Sequence, residues 1–242
     1  MEFEQPLQAG RLIRRYKRFL ADVELADGSV VTAHCPNSGS MATCKEPGQA
    51  VYIQPADSPK RKLKYTWELY HSGASWVGVN THRANAVVAE AIAAGDVPEL
   101  AGYAGLRREV KYGKNSRIDV LLEDPERGAC HVEVKNATLL APDGRVRFPD
   151  AVTERGRKHL DELADVVADG GRAVMLFLVN RADGDGFGPA DHIDPAYGER
   201  LRAVAAAGVE VLAYRTRITP EGIGVAAAEA VDLTPAGELA TP

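Results

Sequence analysis

Residues 173–179 (AVMLFLV) constrain the fold of this chain more than any other stretch. Seven successive apolar residues form a strand only where both faces of its sheet are covered. Residues 83–94 (RANAVVAEAIAA) place Ala84, Val87, Val88, Ala91 and Ile92 on one helical face, and Gly95 suits the stop. Residues 153–168 form a second amphipathic helix with Leu160, Leu163, Val166 and Val167 inward, and Gly170-Gly171 closes it. Residues 108–112, 118–122 and 130–135 read as strands between these helices. A third helix over 196–207 and a strand over 209–214 follow. The order is α-β-β-β-α-β with an added α-β unit. The residues after Ala226 are rich in Ala, Glu and Pro and are expected to fray.

The first third has a different character. Val23, Leu25, Val30, Val31 and Ala33 flank Asp27-Gly28, a hairpin turn signal. Short runs at 51–54, 63–70 and 76–79 complete a set of strands that suits a small closed β-barrel of the OB type. The reading is therefore an α/β plus β chain in two domains: an OB-like barrel over 1–82 and an α/β body over 83–242.

A composition of 45% hydrophobic and 26% charged residues is that of a globular protein, and no apolar run approaches the ~18 residues of a membrane span. The first residues lack the basic flank and apolar stretch of a secretion signal, so no membrane is involved and cytoplasm is the expected address. Cys35, Cys44 and Cys130 make an odd set, which argues against a disulfide framework. His34, Cys35 and Cys44 are zinc candidates by type. However, two are adjacent, no CxxC pair is present and no fourth ligand is evident, so ordinary reduced cysteines are the better reading. The net charge of -5 conceals an uneven distribution: residues 1–82 carry 10 Lys/Arg against 8 Asp/Glu, and the remainder 19 against 26.

The chemistry concentrates in Ser116-Arg117-Ile118-Asp119 and His131-Val132-Glu133-Val134-Lys135. Strand alternation puts His131, Glu133 and Lys135 on one face and Val132 and Val134 on the other. A carboxylate and an ammonium on a covered central strand are costly unless paired or metal-bound. A hairpin could bring Asp119 beside Glu133. Asp119, Glu133 and the Val134 backbone carbonyl would then offer hard oxygen ligands for Mg²⁺ or Mn²⁺, with Lys135 orienting a water or stabilising charge on a phosphate. The competing reading is a plain ion pair on a sheet edge. Asp–Xn–Glu-X-Lys on adjacent strands, with this topology, is similar to the PD-(D/E)XK nuclease superfamily. Related nucleases sometimes bring a first-helix Glu to the metal, which makes Glu90 a candidate, but it lies off the apolar face, so a plain surface Glu is the better reading.

Arg155, Lys158 and His159 share a face of the second helix and could meet phosphate oxygens, as could Arg117, whereas Arg157 reads as solvated. In the first domain Arg11, Arg14, Arg15, Lys17 and Arg18 interleave with Tyr16 and Phe19. Lys60, Arg61, Lys62 and Lys64 repeat the theme before Tyr65. Cations that track a backbone beside aromatics that stack on bases suit nucleic acid. His34-Cys35-Pro36-Asn37-Ser38-Gly39-Ser40-Met41 is an unusual polar loop. A His34/Ser40 nucleophile pair lacks an oxyanion arrangement and a third member, and the Asn-Ser-Gly turn accounts for most of it.

With these segments assembled, the chain resembles the sugar fermentation stimulation protein family (SfsA). The matching stretches are residues 15–22, 34–41, 60–65, 79–81, 116–119, 133–135 and 148–160. Ser38 stands where the family pattern leads us to expect Thr, and Ala42 where we expect Gly. The resemblance implies an OB-like domain, a PD-(D/E)XK-like domain, DNA binding and a link to regulation of sugar-utilisation genes. Two functions compete: a Mg²⁺-dependent nuclease acting on DNA or RNA, and a non-catalytic DNA-binding regulator that retains the fold. Two carboxylates at a phosphate site would repel it without metal, which favours the first. A sugar-metabolic enzyme is suggested by the family name alone. A homodimer would allow paired cuts, but no interface signature is legible.

Overall fold

The computed structural model describes residues 1–56, 60–112 and 116–235. Its first domain contains β1 (Gln8–Tyr16), β2 (Leu20–Leu25), β3 (Val30–His34), β4 (Ala50–Pro55), β5 (Tyr65–His71) and β6 (Trp76–Gly78). The strands run in the order β3-β2-β1-β4-β5-β6, and a parallel β3–β5 pairing closes the first five into a barrel. Leu12, Val23, Ala33, Ile53 and Trp67 fill it and are essentially inaccessible. Asp27-Gly28 makes the β2–β3 turn, with Gly28 at φ +80°. The strand β1 was legible only as a run of basic residues. A register shift between Leu12 and Arg14 breaks its alternation, so the period-2 signal is lost.

The second domain opens with α1 (Ala84–Ala94), then β7 (Gly105–Tyr112), β8 (Ser116–Asp124) and β9 (Gly128–Ala137). After these come β10 (Leu139–Leu140), β11 (Val146–Phe148), α2 (Glu154–Ala168), β12 (Arg172–Val179), β13 (Phe187–Pro189), α3 (Pro195–Ala206), β14 (Glu210–Thr219) and β15 (Gly222–Ala228). The main sheet has the order β15-β14-β12-β9-β8-β7. In it β12 lies parallel to both β9 and β14. Val174, Leu176 and Leu178 join the core under α1, and Ala173, Met175, Phe177 and Val179 join the core under α2 and α3. The apolar run is thus covered on both faces. Thr153 caps α2 by accepting from Gly156 N, and Gly95 ends α1 in the left-handed conformation.

Three short strands, β10, β11 and β13, form a separate small sheet that sequence periodicity could not reveal at two or three residues each. The expected fraying after Ala226 is corrected as far as residue 235. β15 pairs with β14, Val231 bridges to Phe187, and Leu233 packs on the α2/α3 core. Residues 236–242 lie outside the described residues.

The two domains meet in a packed junction. Gly78 N donates to Asn180 O at 2.9 Å, and Asn180 Nδ2 donates to Gly78 O at 3.1 Å. Leu69 of the barrel belongs to the α1-side core. The three cysteines are free and buried. Among the described residues no helix is long and apolar enough to cross a membrane.

Candidate active site

The strands β7 and β8 turn over midway along their length. Leu106, Val120 and Leu122 face the α1-side core, yet Val110, Tyr112 and Ile118 face the α2-side core. Simple alternation would have kept Ile118 and Val120 on one face. The switch falls at Glu109 and Asp119, which the pairs Arg108↔Val120 and Val110↔Ile118 bracket. Glu109 adopts φ +55°, a costly conformation for a residue with a Cβ.

Asp119 sits one residue beyond the last β8–β9 pair, Val120↔Val132. There its carboxylate replaces the backbone ladder, with Oδ2 accepting from Val134 N at 2.8 Å. An extended residue points its N–H and C=O to the same side, so the Val134 carbonyl also faces the Asp119 edge. Asn85, in the first turn of α1, donates its amide to Asp119 Oδ1 at 2.7 Å and to Glu109 Oε1 at 2.8 Å.

Glu133 and Lys135 lie on the α2 face of β9, as alternation predicts. Glu133 is 1% exposed. Its Oε1 is shared by Lys135 Nζ and His159 Nδ1, and Lys135 Nζ lies 3.2 Å from the same ring nitrogen. Arg155 Nε donates to His159 Nε2 at 3.3 Å. Because guanidinium only donates, Nε2 accepts and the Nδ1 proton points at Glu133. Among the described residues Glu133 Oε2 is buried without a partner.

These surroundings separate the two carboxylates. Burial, then the charge of Glu133, pushes the Asp119 pKa up to about 6 against Lys135, the Val134 N–H and Asn85. Burial also opposes ionisation of Glu133, but Lys135 and His159 outweigh it and hold that group below the ordinary carboxylate range.

The residue donors suit a small hard cation. Glu133 Oε2 lacks a partner among the described residues, Asp119 is raised partly by a neighbouring negative charge, and each carboxylate oxygen retains lone-pair capacity. Among the described residues no three or more His, Cys, Asp or Glu side chains converge on one point. A cation here would therefore take two carboxylates and the Val134 carbonyl and complete its shell with water or substrate.

A cavity of about 520 Å³ opens over Lys135 and is walled by both domains. Arg18 and Asn37 to Gly39 come from the barrel side, and Asn85, Val152 and Arg155 from the other. The barrel loop is held rigidly. Arg15 donates to the carbonyls of Asn37, Gly39 and Ser40 at 2.9 to 3.1 Å, and Met41 N donates to Asp150 Oδ2 at 2.9 Å. A Cβ on Gly39 would stand 2.3 Å from the Asp150 carboxylate, so a side chain there would push that carboxylate away from Met41 N.

Other sequence candidates fall elsewhere. Glu90 is not brought to Asp119: its carboxylate pairs with the N-terminal ammonium, five positions and more than a helical turn beyond Asn85. His159 lies behind Glu133, where it is 9% exposed, and not on a surface offered to phosphate. Arg15 is consumed by the loop, and Arg14 pairs with Asp22 at 2.8 Å. Lys158 pairs with Glu162 at 3.5 Å on the far flank of α2. Arg157 holds Asp194 at 2.9 Å and is not simply solvated. Lys17, Arg18, Arg117 and Arg155 are exposed. So are Lys60, Arg61, Lys62 and Lys64; Arg61 donates to Thr66 and lines a second cavity beside His34 and His82. Asn85, Glu109 and the Asn37 to Gly39 wall were missed as site residues. Sequence signals for them existed in two places: the unusual polar loop that holds Asn37 to Gly39, and a polar residue in the first turn of a largely apolar helix, Asn85.

A family model described as the sugar fermentation stimulation protein RE domain matches residues 82–222, and one described as the SfsA N-terminal OB domain matches residues 13–79. A sugar fermentation stimulation protein homolog of Acidithiobacillus ferrooxidans is 62% identical over 224 residues, covering 93% of this chain and 97% of its own. One from Geobacter sulfurreducens is 57% identical over 223 residues, covering 92% and 95%. The solved structure of Pyrococcus furiosus SfsA in complex with Ca²⁺ is similar at a TM-score of 0.85 and 27% identity, covering 96% of this chain and 98% of that one.

Proposed function

Since this chain belongs to the sugar fermentation stimulation protein (SfsA) family, we propose that it is a divalent-metal-dependent phosphodiesterase acting on DNA. The observation that carries this reading is the buried Oε2 of Glu133, unpartnered among the described residues, beside a second carboxylate and a lysine. A binder of phosphate alone gains nothing from two carboxylates at that place, whereas a cation between them reverses the local charge. The Ca²⁺ in the structure of the Pyrococcus furiosus protein supports a site for a hard cation in this family.

Asp119, Glu133 and the Val134 carbonyl would hold Mg²⁺ or Mn²⁺, which polarises a phosphate and lowers the pKa of a bound water. Lys135 places its ammonium beside Glu133 and within the cavity, where it stabilises charge on the phosphate oxygens. His159 and Arg155 hold Glu133 in one orientation. Asn85 does the same for Asp119. Arg18 and Arg155 attract the strand through its flanking phosphates. The sugar-fermentation phenotype in the relatives' names would follow from action on DNA, not from sugar chemistry.

The test compares the protein with Lys135→Ala on single-stranded, duplex and branched DNA and on RNA, in Mg²⁺, Mn²⁺ and EDTA. Cleavage that needs metal and is lost in the variant is the expected result. DNA bound but left intact in every condition would replace the reading with that of a non-catalytic DNA-binding regulator.

A further inference from the structure

The catalytic candidates are recessed, with the Glu133 side chain 2% and the Lys135 side chain 15% exposed. Of these, Lys135 lines the cavity between barrel and α/β domain, with Val134 beside it, so a substrate in that cavity meets the lysine. That space of about 520 Å³ matches a single drug-sized ligand, which is the scale of one nucleotide. A base-paired duplex, whose major groove alone is about 12 Å wide, stays outside.

The rim has the chemistry of an unpaired strand. At the β1–β2 tip, Lys17 and Arg18 adopt φ +47° and +62°. A tight hairpin normally gives such positions to Gly or Asn, and strain of this kind persists where the surroundings impose it, often at functional sites. Arg18 lines the cavity from the barrel side, and Val152 on the opposite wall is 68% exposed, an apolar side chain open to the entrance. The exterior of a duplex offers phosphates and groove edges and little apolar surface. An unpaired strand offers base faces that stack on such groups while cations track its backbone.

We propose that this cavity is a single-strand pocket that admits one unpaired nucleotide of a DNA or RNA strand and presents its adjoining phosphate to Lys135. The position of cleavage rests on the phosphodiesterase reading; the preference for an unpaired strand does not. Arg18 and Arg155 hold the flanking phosphates, and Val152 contacts a base at the entrance.

The experiment measures binding by fluorescence anisotropy in Ca²⁺, and cleavage in Mg²⁺. Substrates are a single-stranded DNA, its RNA counterpart, a duplex closed by hairpins at both ends, and the same duplex with a single-stranded overhang. The protein is compared with Ser38→Trp, which adds bulk on the exposed cavity wall, and with Arg18→Glu. Single strands and the overhang should bind about tenfold or more tighter than the closed duplex, the scale of one stacked base. Ser38→Trp should reduce that preference to within about twofold with an unchanged thermal midpoint; should that variant fail to fold, Arg18→Glu carries the same expectation. Equal binding of the closed duplex, no binding of any strand, or variants that keep the preference would overturn the pocket. Loss of single-strand binding in the variants, without cleavage by any form, would uphold the pocket and sink the phosphodiesterase reading. Cleavage of the closed duplex untouched by Ser38→Trp would do the reverse. The DNA and RNA arms decide which sugar is preferred.

Discussion

His159 presents its Nδ1 proton to Glu133 Oε1, and Arg155 selects that tautomer by donating to Nε2 at 3.3 Å. The histidine therefore acts as a strut behind a carboxylate. Outer-shell partners of this kind are worth about 10–100-fold in metal affinity. His159→Ala should weaken Mn²⁺ binding by about that factor, as measured by calorimetry, and His159→Asn, which retains a donor near Nδ1, should recover part of it. Equal affinities in all three proteins would remove the strut.

Asp119 has a folded pKa of about 6, above the ~3.9 of an unfolded aspartate. Between these values the folded state holds the extra proton, so stability falls as pH rises from about 4 to about 6 and stays reduced above. The cost at neutral pH is at most about 3 kcal/mol. In EDTA, Asp119→Asn should melt above the parent at pH 8, with the gap closing towards pH 4. A gap independent of pH would contradict this assignment.

Asp150 ties the barrel loop to the second domain through Met41 N. Asp150→Ala leaves that amide unpaired, at a cost of about 1–3 kcal/mol. Hydrogen exchange at Met41 and its neighbours should accelerate, while exchange in β12 stays slow. Unchanged protection at Met41 would mean the loop docks without this bond.

Glu68 is 1% exposed and is held by Asn80 Nδ2 at 2.9 Å and Arg83 at 3.1 and 3.2 Å. Burial raises its pKa and Arg83 restrains the rise. Arg83→Ala should destabilise by about 3–5 kcal/mol near neutral pH, since it strands a buried charge. A carboxylate with a raised folded pKa loses stability as pH rises, so the deficit should shrink on acidification. Urea unfolding at pH 5 and pH 8 checks both the size and the sign.

Glu133 and Lys135 were legible in the sequence because their placement depends on strand alternation, a local rule. The same holds for β12 and for the inward face of α1, whose buried residues include every position the helical period selects. Glu90 entered only by analogy with related nucleases; the helical period set it off the apolar face, where the structure leaves it exposed, but could not say which neighbour it meets. The turnover at Glu109 and Asp119 was invisible for a related reason: alternation presumes a regular strand, and φ +55° at a glutamate has no sequence signature.

The sequence by itself determined the three α-helices, the strands β2 to β9, β12 and β14, the barrel and α/β division, and the presence of an acid-acid-lysine set, since each is built from local patterns. Only the tertiary structure decided what surrounds that set. Asn85 meets Asp119 from 34 positions away, His159 meets Glu133 from 26, and Met41 meets Asp150 from 109. Such contacts depend on how helices seat on the sheet and how the barrel docks beside it. Those arrangements are fixed by side-chain packing between distant segments, which no local periodicity encodes.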